Sequence, residues 1–134
     1  LGERALCLFA ASDCHDTDWF AQVTEVFPEG QSIPFHGPMG VLRARYHKGL
    51  GHESLLKPHQ PTKFKINLGP AGHQISKGNQ LRLCIFSAAF PAYDPNTNTG
   101  AAPATDISYR VANQTIYHTA ERVSYLRLPV IEID

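Results

Sequence analysis

Short runs of alternating apolar and polar residues, separated by turns, are the feature that most constrains the fold of this chain. In Thr62–Leu68, the residues Phe64, Ile66 and Leu68 alternate with two lysines and an asparagine. This period of two is that of a half-buried β-strand. The run ends at Gly69-Pro70, which is a turn signal. No segment shows the period of a helix longer than about one turn.

Eight strand-like runs recur along the chain, and this number predicts an all-β fold. They are Ala5–Ala11, Trp19–Phe27, Gln31–Phe35, Val41–Tyr46, Thr62–Leu68, the run that begins at Leu81, Tyr109–His118 and Tyr125–Ile133. Within Val41–Tyr46, the alternation predicts Leu42, Ala44 and Tyr46 on one side of the strand and Arg43 and Arg45 on the other. Many short strands with regular turns are typical of a β-sandwich or jelly roll. The 134 residues are 43% hydrophobic, which suits a single domain, residues 1–134, with its own core.

The overall charge and the cysteines exclude several classes of partner. Twelve basic residues balance twelve acidic ones, so we expect binding neither to nucleic acid nor to an anionic membrane surface. No apolar run reaches the roughly 18 residues of a membrane span. Three cysteines are an odd number for a disulfide framework. A reducing, cytoplasmic location is the expectation, and the oligomeric state stays open.

The residues after the Leu81 strand form a long loop, 87–100, which is dense in Pro, Asn, Thr and Gly. These residues end a strand and do not support a helix. Loops of this length are uncommon in compact domains and are usually functional or anchored against something. Phe90 and Tyr93 are the expected anchors.

A search for catalytic or metal-binding patterns gives a negative result. The G-x-S-x-G motif of α/β-hydrolases does not occur, and the cysteines lack the spacing of a zinc site. Asp13, Asp16, Asp18 and His15 fit either a calcium site or a polar turn, and the missing EF-hand pattern favours the turn. The sequence therefore predicts no catalytic residue, no cofactor and no metal for this chain.

Four segments, in this order, resemble one known family. They are Ser12-Asp13 with Asp16–Phe20 and the hairpin end Phe27–Gly30; Gly40–Tyr46; Phe90–Gly100; and Gln114–His118 with Ser124–Pro129. Their order and spacing resemble the C-terminal non-catalytic domain of the X-Pro dipeptidyl-peptidase and cocaine-esterase (acyl esterase) group of serine hydrolases. The resemblance covers nearly the whole chain.

This resemblance implies a galactose-binding-domain-like jelly roll that accompanies a catalytic α/β-hydrolase domain of the same natural chain. The catalytic Ser, Asp and His would belong to that preceding domain, and the start at Leu1 rather than Met fits an excised C-terminal piece. The family often carries arginines in the long loop, where this chain has Ala92 and Pro95. Ion pairs made by those arginines are therefore not carried over.

The resemblance also gives candidate residues for a domain interface or a pocket rim. We expect Trp19, Phe90 and Tyr93 on a docking face, with Asp94, Asn96 and Asn98 holding the loop. A core position is the alternative for Trp19. Two other functions stay open: a carbohydrate-binding module, which the same fold often provides, and a structural module that only keeps the parent soluble or oligomeric.

Overall fold

The computed structural model describes residues 2–133 and consists almost entirely of β-strands. The strands are β1 (Glu3–Ser12), β2 (Asp18–Val26), β3 (Ser32–Pro34), β4 (Gly40–Arg43), β5 (Thr62–Pro70), β6 (Gln80–Phe86), β7 (Gln114–Ile116) and β8 (Tyr125–Arg127). A single 3₁₀ turn, Ala44–Tyr46, follows β4. No helix among the described residues is long and apolar enough to cross a membrane.

The strands form two antiparallel four-stranded sheets, each built around one long strand. In the first sheet, β1 pairs with β5 on one side and with β7 and β8 on the other. In the second sheet, β2 pairs with β6 on one side and with β3 and β4 on the other. The predicted all-β sandwich is therefore confirmed.

The core lies between the two sheets and is filled from both long strands. Leu6 and Leu8 of β1 face Trp19, Ala21 and Val23 of β2 across the sandwich. From β5, the three residues of the alternating run in Thr62–Leu68 are at most 1% exposed. Their burial follows from the strand period, because every second side chain points to the same face.

Four of the expected strands are shorter than the sequence pattern indicates, and one of them, Gln31–Phe35, loses a residue at each end to become β3. β4 ends at Arg43, and the next three residues turn into the 3₁₀ segment. The expected strand Tyr109–His118 is reduced to β7, and Tyr125–Ile133 is reduced to β8. In both reduced strands the lost residues include exposed apolar ones, such as Val111 and Val130, because β1 pairs with only three residues of each strand.

Candidate functional site

A buried ionic cluster connects the start of β2, the turn after β4 and the long loop. Asp16 and Asp18 are 0% and 3% exposed. Arg45 donates its backbone N–H and its Nε–H to Asp16, at 2.9 and 2.8 Å. Arg43 binds Asp18 through Nε and Nη2, at 2.8 and 2.9 Å. Charges this deeply buried require such pairing, because their desolvation is otherwise unfavourable.

Arg45 lies in the 3₁₀ turn and not, as expected, in the strand Val41–Tyr46. Its residue is only 3% exposed. The chain leaves β4 at Arg43, and the Arg45 backbone N–H turns inward to the Asp16 carboxylate. Nη2 of Arg45 also donates to the backbone oxygen of Ala101, at 2.8 Å. Arg45 therefore joins the 3₁₀ turn to the end of the long loop.

Asn96 and Asn98 fix the middle of the long loop on this cluster. The side-chain amide of Asn96 donates to both aspartates, at 3.1 Å to Asp16 and 2.9 Å to Asp18. Its oxygen accepts the backbone N–H of Asn98, which has a φ of 63°. Asn98 then donates to the backbone oxygen of Arg110 at 2.9 Å. An asparagine tolerates this left-handed conformation better than most residues.

A second small cluster holds the far side of the loop. Asp106 accepts hydrogen bonds from the hydroxyl groups of Thr97 and Thr99 and from the backbone N–H of Ser108. The bond from Thr99, followed by those from Ser108 and Thr97, lowers the pKa of Asp106 below its ordinary value. We call residues 87–113 the aromatic loop, and these two clusters keep it in one shape.

The two aromatic residues expected on a docking face lie on the surface of the aromatic loop. Phe90 is 72% exposed and Tyr93 is 42% exposed. One face of the Tyr93 ring packs on Phe20, with 5.2 Å between the ring centres. Phe20 is itself stacked on Phe86. Tyr93 is thus held by the core, whereas Phe90 projects from it.

Trp19 does not belong to a docking face, so that expectation is corrected. It is 1% exposed and lies in the core cluster, where its ring is 5.7 Å from that of Phe64. The reason is its register on β2, which directs the side chain between the sheets. The alternative position given by the sequence, a core tryptophan, is the one observed.

Asp94 has no role in holding the loop within the described residues 2–133. Its side chain is exposed and takes part in no hydrogen bond or ion pair there. It lines an open hollow of about 360 Å³, together with Tyr46, Tyr93, Arg43, Asp18 and Val41. We call this space the Tyr93 hollow. The Asp94 carboxylate and the rings of Tyr46 and Tyr93 could contact a polar ligand in this hollow.

A further set of exposed apolar side chains on the same loop was not predicted from the sequence. Ile107, Tyr109 and Val111 are 91%, 72% and 83% exposed. Tyr109 and Val111 alternate at the start of the expected strand Tyr109–His118, and Ile107 lies two residues before it. Alternation was the only signal, and it indicated a strand instead of an exposed loop.

Asp13, at the base of the aromatic loop, holds its last residue. The backbone N–H and the side-chain amide of Asn113 both donate to this carboxylate at 2.8 Å. These bonds, the side-chain one first, lower the pKa of Asp13 from 3.8 to about 2. Asp13, Asp16 and Asp18 therefore each bind protein donors, as in the polar-turn alternative.

Together, the sandwich, the loop-holding ionic cluster and the exposed aromatic side chains define an accessory β-sandwich domain. The family profile described as X-Pro dipeptidyl-peptidase C-terminal non-catalytic domain matches residues 1–127. The chain belongs to this family, and the resemblance drawn from its four sequence segments is confirmed.

Relatives and similar structures agree with this assignment. Cocaine esterase of Rhodococcus sp. (strain MB1 Bresler) is 29% identical over 127 residues, which are 93% of this chain and 22% of the esterase. The structure of an alpha-amino acid ester hydrolase matches 97% of this chain with a TM-score of 0.85 and 28% identity. An aminopeptidase from a marine sediment archaeon, Thaumarchaeota archaeon, matches 98% with a TM-score of 0.81 and 26% identity. The chain spans less than a quarter of each of these proteins.

Proposed function

We propose that this chain is the C-terminal accessory domain of a longer serine hydrolase of the acyl esterase or X-Pro dipeptidyl-peptidase type. In this proposal the aromatic loop packs on the α/β-hydrolase domain and forms part of the wall of its substrate pocket. Family membership and the names of the relatives, an esterase, an ester hydrolase and an aminopeptidase, support the enzyme class. The short share of each relative that the chain spans supports a neighbouring domain.

The exposed apolar side chains of a firmly held loop are the observation that carries the proposal. Phe90, Ile107, Tyr109 and Val111 are each more than 70% exposed. Large apolar side chains that gather on one surface segment are characteristic of interaction sites. A mobile loop would lose conformational freedom on docking, whereas this loop is already ordered by the hydrogen bonds of its asparagine side chains.

The chemical contribution of such a domain is indirect. Apolar side chains at the mouth of a pocket exclude water, and this strengthens the electrostatic interactions inside the pocket. They also limit which acyl or peptidyl groups enter. In this proposal the bond-breaking groups lie on the neighbouring domain, and the present chain sets access and packing.

The proposal is tested in the full-length natural enzyme with the substitution of two exposed residues, Phe90→Ala and Tyr109→Ser. We expect kcat/KM for ester or Xaa-Pro substrates to fall about tenfold, which corresponds to about 1.4 kcal/mol of lost transition-state stabilisation. Leu50→Ala is the matched control, because Leu50 is 87% exposed but lies outside the aromatic loop. Equal kinetics for all three variants and the natural enzyme would contradict the proposal.

The purely structural alternative is separated by mixing the separately expressed hydrolase domain with this chain. If the domain only stabilises its parent, its addition raises the melting temperature and leaves substrate preference unchanged. If it forms part of the pocket wall, the ratio of kcat/KM between small and bulky acyl groups changes as well.

A carbohydrate-binding function is a second candidate, and the Tyr93 hollow favours it. The two tyrosine rings there, with Asp94 and Arg43, are the types of side chain that contact a sugar ring and its hydroxyl groups. A glycan array on the isolated chain distinguishes the two functions. Specific binding that Tyr46→Ala abolishes would support the sugar site, and its absence leaves the packing role.

A further inference from the structure

A second cavity lies at one end of the sandwich, away from the aromatic loop. It has a volume of about 620 Å³ and is lined by Gly2 and Arg4, by Phe35, by the segment 71–75, by the segment 128–131 and by Ile133. A volume of this size lies within the range of small-molecule sites. We call it the Arg4 cavity, after the charged residue that lines it.

Arg4 is a buried cation that no carboxylate neutralises within residues 2–133. It is 4% exposed. Its Nε donates to the backbone oxygen of Gly69 at 3.1 Å, and its Nη2 donates to those of Leu68 and Pro38, at 2.7 and 3.1 Å. All three acceptors are uncharged, and desolvation lowers the pKa of Arg4. Nη1 makes no hydrogen bond within the same described range.

The carboxylate of Glu25, which contacts the cavity residue His73, is bound by other donors and does not serve Arg4. His73 lines the cavity, but its Nε2 is 2.6 Å from Oε2 of Glu25. Oε1 of Glu25 accepts hydrogen bonds from the side chain of Asn79 and the backbone N–H of Ser76. The bonds from Asn79 and His73 are the largest causes that lower the pKa of Glu25. The negative charge of Glu25 is thus already stabilised by these hydrogen bonds.

The walls of the cavity are mostly apolar, which adds a second requirement for a ligand. Ile75, Leu128, Val130 and Ile131 line it, and the ring of Phe35 stacks on His73 at 4.1 Å between centres. Ile131 is 75% exposed and Ile75 is 40% exposed. A ligand that covered these side chains would remove apolar surface from water, which favours binding.

We propose that the Arg4 cavity binds a small carboxylate that carries an apolar tail. The carboxylate accepts hydrogen bonds from Nη1 of Arg4, and the tail lies along Ile75, Leu128 and Ile131. Hydrogen bonds between two charged groups are about twice as strong as neutral ones. The site therefore distinguishes a carboxylate from an amide of the same shape. This inference does not depend on the docking role of the aromatic loop.

The test uses hexanoate as the probe and hexanamide as its uncharged counterpart. Amide chemical shifts of the ¹⁵N-labelled chain are followed in a titration with each compound at neutral pH. We expect hexanoate to shift residues of the segments 71–75 and 128–133 with a dissociation constant on the order of 1 mM. Hexanamide should bind at least tenfold more weakly, and added salt should weaken hexanoate.

Variants decide whether charge and place are as proposed. Ile131→Asp adds a negative charge to an exposed wall residue and should weaken hexanoate binding at least tenfold. Ile107→Asp is the matched control, because Ile107 is 91% exposed and lies outside the cavity lining. It should leave binding unchanged. Arg4→Met, if its spectrum shows a folded chain, should remove the preference for hexanoate over hexanamide.

Other outcomes would overturn the inference. Equal binding of hexanoate and hexanamide would mean that only the apolar walls act. Equal binding of acetate and hexanoate would mean that the tail has no role. Shifts confined to other parts of the chain, no shifts, or equal binding by Ile131→Asp would place no carboxylate site in this cavity.

Discussion

Individual charged residues hold this domain together from inside, and two arginines show how. Arg45 connects Asp16 of the first turn with Ala101 of the aromatic loop. Arg4 connects β1 with the end of β5 through the backbone oxygens of Leu68 and Gly69. Arginine suits both positions because its planar group donates several hydrogen bonds in fixed directions.

Removal of the Arg45 side chain should be strongly destabilising. Arg45→Met leaves Asp16, which is 0% exposed, with a buried charge and without its main partner. We expect the free energy of unfolding to fall by about 3–5 kcal/mol. Urea unfolding followed by tryptophan fluorescence measures it. Lys48→Met is the control, because Lys48 is an exposed cation three residues further along the chain. An equal decrease in the free energy of unfolding for Lys48→Met would contradict the explanation.

Asn96→Ala should cost less than Arg45→Met, because each aspartate retains its arginine. The substitution removes one amide donor from two buried carboxylates, and we expect a loss of about 1–3 kcal/mol. The protection of the Asn98 backbone N–H against hydrogen exchange should fall as well, since its acceptor is the Asn96 oxygen. Unchanged exchange at Asn98 would show that the loop is held by other contacts.

Asp13 should make stability depend on pH in the acid range. Its pKa falls from 3.8 to about 2 on folding. The contribution of Asp13 to the free energy of unfolding is therefore fully present above pH 3.8. It is lost as the pH falls through about 2. A ¹³C titration of the carboxyl group checks the value, and Asp13→Asn should flatten the acid limb of the stability curve. A titration midpoint near 4 would contradict the bonds with Asn113.

Among the strands, close contact between the sheets is most restrictive at β4. A Cβ at Gly40 would lie 2.8 Å from Cγ2 of Ile66 and 3.0 Å from Cγ of Leu68. Both side chains belong to β5, in the opposite sheet, and both are buried. Only glycine therefore lets β4 pack on β5 at this distance.

Gly40→Ala should destabilise the domain by about 1–3 kcal/mol, because the added methyl group has no space. Gly51→Ala is the matched control, since no atom lies within 4 Å of its Cβ position. We expect its effect to stay within about 0.5 kcal/mol. Thermal unfolding of the two variants, followed by circular dichroism, measures the difference. Similar melting temperatures for both would argue against close packing at β4.

The elements that the sequence predicted well are those whose burial follows from their own alternation. The alternating residues of β5 are an example, because one face of that strand lies on the core. The expected strand Tyr109–His118 failed because alternation does not reveal whether a partner strand is present. Tyr109 and Val111 therefore have a strand-like pattern but remain exposed.

The candidate site was predictable only in part, for a related reason. The composition of residues 87–100 indicated a loop, and Asn96 and Asn98 were identified within it. The buried position of Arg45 was not predicted, because arginines are normally on surfaces. Its partner, Asp16, lies 29 residues earlier in the chain. Contacts at this distance arise from the tertiary fold and leave no local signal.

At the scale of the whole molecule, apolar residues lie on the outside of the sandwich as well as inside it. In the family to which the chain belongs, the domain is one part of a longer protein, and the relatives are more than four times as long. The isolated chain therefore presents to water a surface that, in our proposal, is covered in the parent.

We predict that the isolated chain associates with itself through this surface. The double variant Ile107→Ser, Val111→Thr should reduce association, because it removes apolar area that is 91% and 83% exposed. Light scattering over a concentration series measures it. The melting temperature of the double variant should equal that of the unmodified chain. Association of the double variant to the same extent as the unmodified chain would contradict the prediction. Leu50→Ser is the control for an exposed apolar residue elsewhere.

The position of β1 in the middle of its sheet has a consequence during synthesis on the ribosome. β1 is made first, but its partners β7 and β8 are made last, and the bond between Phe9 and Ser124 joins residues 115 apart. At about 5–20 residues per second, that interval is roughly 6–23 s. Once β5 has been made it can pair with one edge of β1, but until β7 and β8 follow the other edge of this apolar strand has no partner, which makes early engagement by a chaperone advantageous.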